Sequence, residues 1–339
     1  MNLISNQYKS YLITGGTGSF GSKMIQKLLK SKSPKRVICF SRDELKQFDL
    51  SSVIKDKRLR LFIGDIRDKT RLLEAFRDVD VVIHAAAMKQ VPASEYNPTE
   101  CIKTNIIGAE NIIEAAIERK VKKVIALSTD KAVSPINLYG ATKLAADKLF
   151  IAANGYTGSS KISFSTVRYG NVLNSRGSVI PFFLKLKNNK SKTLPITHKE
   201  MTRFVLSLED GVNFVLKSLK LMRGGEIFIP KLPSMKIFDL AEAINPQAKK
   251  EIIGIRPGEK IHEVLCPKDE SSNVIEFKNY YIIKPSISFA KKVNFLKSSE
   301  NEIGKEVDEN FEYNSLNNTN YLSIPKLIKI VQNICNNPN

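Results

Sequence analysis

Thr129-Asp130-Lys131, followed by Tyr139-Gly-Ala-Thr-Lys143, sets an acid, two amines, a hydroxyl and a phenol within one short stretch of the chain. A tyrosine and a lysine four residues apart on a helix share one face, about one turn from each other. A free phenol has a pKa of about 10, and a neighbouring ammonium favours its ionised form. Tyr139 supported by Lys143 is therefore suited to taking a proton from a hydroxyl while a hydride leaves the same carbon. Tyr-x-x-x-Lys alone is common, and its weight depends on whether the rest of the chain supplies a nucleotide site.

The elements that must position these groups are legible on either side of them. VKKVIALS, residues 121–128, reads as a buried strand of a parallel sheet, so the Thr129 cluster falls at a strand's carboxyl end, where open α/β sheets bind ligands. Near the amino terminus KSYLIT (9–14) predicts a strand, and TGGTGSFG (14–21) supplies Gly15, Gly18 and Gly21 ahead of a helical pattern with Phe20, Met24, Ile25, Leu28 and Leu29. Strand, glycine turn and helix in that order suit a pyrophosphate at a helix N-terminus. The G-x-x-G-x-x-G spacing resembles that of short-chain dehydrogenase/reductase enzymes.

A second strand, RVICFS (36–41), ends in Ser41-Arg42-Asp43-Glu44, with Lys46 just beyond. An acid at this tip bonds a ribose 2′-hydroxyl, whereas an arginine accommodates a 2′-phosphate. Arg42 favours NADP over NAD, with Asp43 and Glu44 left as residues that could reach a hydroxyl instead. LRLFIGD (59–65) places Asp65 at a strand end for an adenine contact. DVVIHAAA (80–87) puts small alanines along the cofactor's path, and Thr99 to Arg119 reads as one helix with a core face. The expected fold is α/β, a Rossmann-type doubly wound parallel sheet. Residues 1–170 form the dinucleotide domain, with later segments returning to it, and 171–339 mainly a smaller α/β lobe.

Composition sets the outer limits. A chain of 339 residues with 42% hydrophobic and 26% charged residues has material for a large core, and no run approaches the roughly 18 apolar residues of a membrane span. MNLISNQYKS lacks the apolar stretch of a signal peptide. The four cysteines, Cys39, Cys101, Cys266 and Cys335, are widely separated, and the three histidines, His84, His198 and His262, complete no metal-ligand spacing; a reducing cytoplasm and no metal are expected. The net charge of +19 often accompanies nucleic-acid or membrane binding, but the lysines are scattered. A general lysine-rich surface is the leading reading, and such a field also steers phosphate-bearing substrates. The segment from about Lys297 to Asn320 and the closing NNPN read as surface of uncertain order.

In the second half, the strand KISFSTVRYG (161–170) is followed by Asn171-Val172 and Ser175-Arg176-Gly177-Ser178. TLPIT (193–197), Met201-Thr202-Arg203-Phe204 and GIRPGEK (254–260) come later. Arginine's planar fork suits phosphate, so Arg203 and Arg256 could clamp a diphosphate, with Glu259 on ribose hydroxyls, although each also reads as an ordinary surface residue.

TGGTGSFG, SRDELKQ, GDIRDK, HAAAMKQVPASEYNP, CIKTNIIGAEN, STDKAVSPINLYGATK, VRYGNVLNSRGSVIPFF, MTRF, SLEDGV, GGEIFIPKLPSMKI and GIRPGEKIHE together resemble the short inverting UDP-N-acetylglucosamine 4,6-dehydratases, over nearly the whole chain. That group makes the first committed intermediate of pseudaminic acid, a flagellin-modifying sugar. Longer retaining homologues carry amino-terminal membrane helices, absent here, and several relatives have methionine at the position of Tyr139. Gln90 stands where the family often has histidine.

The resemblance implies bound NADP, held by Gly15, Thr17, Gly18, Ser19, Phe20, Gly21, Ser41, Arg42, Asp43, Glu44, Lys46, Asp65, Ile66, Ala85, Thr104, Tyr139, Lys143 and Val172. It implies UDP-N-acetylglucosamine held by Lys89, Asn171, Arg176, Thr193, Arg203, Arg256 and Glu259, and a homo-oligomer between dimer and hexamer, without nucleic acid or membrane. It also implies Tyr139 as base on the 4-hydroxyl, Thr129 bonded to that hydroxyl, Lys131 as base at C5 and Asp130 as acid to the C6 hydroxyl. Lys131 is then expected to be neutral part of the time, through burial and neighbouring positive charge. The nearest rival is a UDP-sugar 4-epimerase, which needs Tyr139 and Lys143 but not the Asp130-Lys131 pair. A rival of another class is a non-catalytic Rossmann protein that binds RNA or senses NADPH.

Overall fold

The computed structural model describes residues 3–158, 161–175, 177–287 and 293–336. Six strands, β1 (Ser10–Thr14), β2 (Arg36–Ser41), β3 (Leu59–Ile63), β4 (Val81–His84), β5 (Lys123–Leu127) and β6 (Ser163–Val167), lie in the order β3-β2-β1-β4-β5-β6, every neighbouring pair parallel. The chain runs outward from β1 to β3 and then returns to the other side of β1, so the order reverses between β1 and β4. That reversal opens a crevice beyond the strands' carboxyl ends. The sheet continues past β6 with Ile227–Pro230, which is parallel to it, and then with Tyr280–Ile283, Val274–Glu276 and Lys305–Glu306, which pair antiparallel.

Alternation along the strands loads both faces, as buried parallel strands require. Ile13, Val37, Ile83 and Ile125 pack with Met24, Ile25 and Leu28 of helix α1 (Ser19–Lys30) and with Val212 and Val215. Their neighbours Leu12, Ile38, Val82 and Val124 pack with Ile112, Ile113 and Ala116 on the opposite side. A second apolar core joins Ile180, Phe183, Leu194, Ile196, Val205, Met235, Leu240, Ile244, Leu327 and Val331. It lies among the strands Thr193–Ile196, Thr202–Leu206 and Ser234–Lys236 and the helices Val179–Asn188, Ile237–Ile244 and Ile324–Asn336.

Two expectations differ from the structure. The helix read from Thr99 to Arg119 contains a π-helical turn, Lys103–Ile107, between Pro98–Ile102 and Gly108–Glu118. The wider turn lets Thr104 and Asn105 both face inward, and π turns of this kind recur at functional sites. The polar stretch 297–320 is tied down by pairing, Lys305–Glu306 with Val274–Glu276 and Tyr313–Asn314 with Val264–Cys266. Within it Tyr313 packs its buried ring against Phe204 and Tyr281. Composition marked that stretch as surface, whereas a few anchor residues decide its order.

Cys39, Cys101 and Cys266 are buried, Cys335 is exposed, and all four are free. Among the described residues no cluster of His, Cys, Asp or Glu could hold a metal ion, and no helix is long and apolar enough to cross a membrane.

Candidate active site

β5 delivers Thr129 to the carboxyl edge of the sheet. Backbone bonds from Ser128 N to Val167 O (2.7 Å) and from Asp130 N to Tyr169 O (3.3 Å) carry the pairing with the β6 segment beyond the strand end. Thr129 then caps a single 3-10 turn, Asp130–Ala132, and Asn137 caps the helix Leu138–Ala152, its Oδ1 accepting from Gly140 N at 2.7 Å. A short polar side chain at each cap satisfies an otherwise orphaned backbone donor. Gly140, between Tyr139 and the rest of the helix, allows close contact with this turn: a Cβ there would lie 2.1 Å from the carbonyl oxygen of Lys131. The two halves of the motif are thus packed backbone against backbone.

The side chains form a continuous polar string. The Tyr139 phenol lies beside Thr129, whose hydroxyl lowers its pKa, and Thr129 Oγ1 donates to Asp130 Oδ1 at 2.9 Å. Lys131 Nζ donates to Asp130 Oδ1 at 3.0 Å and to Glu263 Oε1 at 3.4 Å, and Glu263 Oε1 lies 3.7 Å from Arg203 Nε. Asp130, Glu263 and Arg203 are all buried. Burial alone would lower the pKa of Lys131, but Asp130 and Glu263 outweigh it and hold the amine firmly protonated. The expectation of a partly neutral lysine is corrected here: its neighbours are chiefly negative. Burial and the Asp130 charge push the Glu263 carboxyl up, against Lys131, Arg203 and Lys260.

Burial also pushes the Tyr139 phenol up, to about 12, opposed by the Lys131 charge and the Thr129 hydroxyl. The cation that favours the phenolate is thus Lys131, where Lys143 was expected. Lys143 is itself buried, which lowers its pKa, and Asp147, one turn further along the helix, works in the opposite direction. Behind it Ser128 Oγ donates to Asp147 Oδ2 at 2.6 Å, and Arg168 Nη2 stands 3.5 Å from the same oxygen. His84, bonded to Thr14 Oγ1 through Nδ1 at 2.8 Å, is driven down to about 3 by burial and by the Lys143 charge.

The glycine turn is built to hold a dinucleotide. Gly15 has φ +65°, and a Cβ there would press on the Ala85–Ala86 backbone; a Cβ at Gly21 would meet Gly15 O at 2.4 Å. Gly18 caps α1 without a side-chain hydrogen bond, and the first turn, with Ser19 and Phe20, holds no acid. Gly18 N donates to Gly15 O at 2.9 Å, and the amides that follow it in the first turn suit an anionic ligand.

At the β2 tip the Ser41 hydroxyl accepts from Gln47 Nε2 at 3.0 Å. Asp43 caps helix α2 (Glu44–Val53), accepting from Lys46 N at 3.0 Å and Lys46 Nζ at 2.5 Å. Arg42 remains the exposed charge, 3.7 Å from Asp65 Oδ2. Although burial opposes it, Asp65 is held below the usual carboxylate range by hydrogen bonds from Arg67 and by Arg42. Ile66 and Thr104 are buried, Thr17 and Val172 half-buried, and Glu44 exposed. Ala85 N bonds Thr14 O at 3.3 Å.

Of the residues expected to hold substrate, Arg203 joins the acid–base cluster, its Nη1 donating to Thr202 O at 2.7 Å and Ile261 O at 3.1 Å. Arg256 is exposed and stands 3.9 Å from Glu259, whose Oε2 is buried with no partner among the described residues. The two arginines therefore occupy different surroundings. Asn171 and Thr193 are half-buried in the strands Asn171–Val172 and Thr193–Ile196, Lys89 is exposed, and Arg176 lies outside the described residues.

Sequence reasoning missed Glu263, Gly140, Asn137 and Asn105. Asn105 exchanges 2.9 Å bonds with the Met88 backbone in both directions, fixing the loop after β4. Asn137 donates to Gly258 O at 2.8 Å, and Lys260 to Val133 O, fastening the 256–263 segment over the site. Asn137 before an apolar run was a readable cap signal; nothing in the spacing marks Glu263. A cleft of about 620 Å3, lined by residues including Lys23, Leu206, Phe214, Leu232 and Ile334, touches none of these groups.

Residues 11–285 match the model of the family described as polysaccharide biosynthesis protein. The chain is 57% identical over 324 residues to the UDP-N-acetylglucosamine 4,6-dehydratase (inverting) of Campylobacter jejuni, covering 95% of this chain and 97% of that protein. It is 46% identical over 283 residues to a UDP-glucose 4-epimerase of Rickettsia bellii, covering 81% and 82% of the two chains. The X-ray structure of Pen from Bacillus thuringiensis matches with a TM-score of 0.86 at 39% identity, over 96% of this chain and 97% of that one.

Proposed function

The chain belongs to the polysaccharide biosynthesis protein family, within the extended short-chain dehydrogenase/reductases, and from that premise we propose that it is an inverting UDP-N-acetylglucosamine 4,6-dehydratase. Its product is UDP-2-acetamido-2,6-dideoxy-β-L-arabino-hex-4-ulose. The observation that carries the reading is the hydrogen-bonded string Thr129–Asp130–Lys131 beside Tyr139, which sets an oxidation base next to an acid and a second base. Epimerisation at C4 has no use for the last two.

A bound nicotinamide dinucleotide supplies hydride acceptance at sugar C4 and hydride return at C6. Tyr139, supported by Lys143, takes the 4-hydroxyl proton, with Thr129 bonded to that hydroxyl. The C4 ketone acidifies the C5 hydrogen. Lys131 begins as an ammonium; passing one proton to Asp130 across 3.0 Å arms both groups at once, giving a free amine and a carboxylic acid. Lys131 then takes the C5 proton, and Asp130 protonates the departing C6 hydroxyl, which leaves as water. The pair ends in its starting charge state. A solvent proton reaching C5 from the face opposite Lys131 inverts that centre, and Tyr139 gives its proton up to solvent.

NADP is the proposed dinucleotide. Asp43 caps α2 and Arg42 is exposed, 3.7 Å from Asp65, an arrangement suited to a 2′-phosphate. Arg256, Arg203, Lys89 and Arg176 are the proposed cations for the UDP moiety, with Glu259, Asn171 and Thr193 as polar contacts. Assembly as a homo-oligomer is proposed on the exposed Tyr96, Ile102 and Ile107 of the 91–107 helical segment.

Incubation with UDP-N-acetylglucosamine in heavy water tests the reading by NMR. One deuterium at C5 with an L-sugar coupling pattern is the expected product. The Rickettsia relative favours a UDP-sugar 4-epimerase as the second reading; a 4-epimer without C5 deuterium would decide for it.

A further inference from the structure

Glu263 takes no part in the reaction as assigned, yet it touches the proposed base. It arrives from 132 residues beyond Lys131. Its side chain is 2% exposed, with Oε1 3.4 Å from Lys131 Nζ and 3.7 Å from Arg203 Nε. Its second oxygen, Oε2, is buried with no hydrogen-bond partner among the described residues. Asp130 repeats this on the other side of the amine: Oδ1 at 3.0 Å, and Oδ2 buried and unpartnered.

Two carboxyl groups therefore flank one ammonium, within two hydrogen-bond lengths of each other. A buried ionised carboxylate needs donors on both oxygens, and leaving one bare is expensive. Burial and mutual repulsion oppose ionising both, while Lys131, Arg203 and Lys260 work in the other direction. Asp130 is the group that must be free to receive the proton of Lys131.

Resting on the dehydratase reading, we propose that Glu263 works as the protonated acid, and that its ionisation switches Lys131 off. With Glu263 neutral, Lys131 has a single counter-ion, and passing its proton to Asp130 converts one ion pair into two neutral groups. With Glu263 ionised, the ammonium faces two carboxylates, and the same transfer leaves Glu263 with Arg203, 3.7 Å away, as its nearest counter-ion beside a neutral amine. The low-polarity surroundings disfavour that outcome. The proton on Glu263 stays in place throughout: Lys131 to Asp130, C5 to Lys131, Asp130 to the C6 oxygen and solvent to C5 complete the balance without it. Glu263 is thus a tuning residue, acting through Lys131. Asp130, Arg203 and Lys260 are the other charged groups that set its ionisation, and burial favours its neutral form; Tyr139 feels the Lys131 charge from the facing helix.

The pH profile of kcat at saturating UDP-N-acetylglucosamine tests this, read by its shape and not its height. The wild-type enzyme should hold a plateau and then lose activity as Glu263 ionises with rising pH. Glu263→Gln, a permanently neutral isostere, should lack that fall. One pH unit above the wild-type midpoint, the two profiles normalised to their plateaus should differ about tenfold. Glu263→Asp should retain the fall. Arg203→Gln removes a cation that favours the ionised form and should move the fall to higher pH, an arm that does not need the glutamine variant to fold. A glutamine variant with the wild-type fall at the wild-type pH, or an arginine variant with the fall unmoved, overturns the proposal. Wild-type protein that forms only the 4-epimer overturns the dehydratase reading itself, and the inference with it.

Discussion

Gly140→Ala would set a methyl carbon 2.1 Å from the carbonyl oxygen of Lys131, 3.0 Å from the carbon of that carbonyl and 3.1 Å from Pro135 Cβ. Neither backbone can accept such an approach, so the start of the Tyr139 helix and the Asp130–Ala132 turn must separate by about 1 Å to restore ordinary contact. Tyr139 rides on one partner and Asp130 and Lys131 on the other, so the separation falls between the oxidation base and the acid–base pair. A misplacement of about 1 Å costs about 100-fold in rate, or about 2.7 kcal/mol of barrier. Helix propensity alone predicts the reverse for stability, a gain of roughly 1 kcal/mol for alanine over glycine, against a packing loss of about 1–3 kcal/mol. The expected result is a kcat lowered about 100-fold with dinucleotide affinity kept and a melting temperature unchanged or lower. NMR of the 4-keto product, a dinucleotide titration and a thermal melt measure the three quantities. A kcat within twofold of wild type would refute the argument that this contact sets the site.

Lys131→Ala should lower turnover and C5 deuterium incorporation together by about 100- to 10,000-fold, the range for a lost general base, with dinucleotide affinity changed less than twofold; exchange retained at the wild-type rate would remove the lysine from the mechanism. Arg42→Ala should lower the NADP-to-NAD affinity ratio about tenfold, the loss of one charge-assisted bond, and an unchanged ratio in competitive titrations would count against a 2′-phosphate contact. His84 is neutral when folded because burial drives it from 6.5 to about 3. Only the unfolded chain gains its proton as pH falls through 6.5, so stability should drop by about 1.4 kcal/mol per pH unit between these values. Urea melts of the wild type and His84→Gln should differ by that slope, and parallel slopes would show that the ring titrates equally in both states.

The local elements were readable because their causes are local. SYLIT, RVICFS and the core of VKKVIALS form strands within two residues of the expected bounds, since apolar runs closed by glycine or polar residues leave little choice of conformation. The order strand, glycine turn, helix around Gly15–Gly21 was equally plain. The charge state of Lys131 was not: its neighbours were read as positive, whereas Asp130 and the distant Glu263 surround it. Asp43 looked like a candidate ribose ligand, yet its position before Glu44–Val53 makes it the helix cap. Arg203 and Arg256 looked equivalent in sequence, and only their surroundings separate them.

Residue type and short-range spacing by themselves determined the sheet's strands, the dinucleotide turn and the grouping of Thr129, Asp130, Lys131, Tyr139 and Lys143, because backbone preference and helical or strand periodicity act over a few positions. The tertiary structure decided which remote side chains complete that group, above all Glu263 and Arg203, and therefore which protons are held and which are free. Coulomb attraction and loss of water depend on distance through space, and the chain order carries no record of that distance until the sheet has closed around the site.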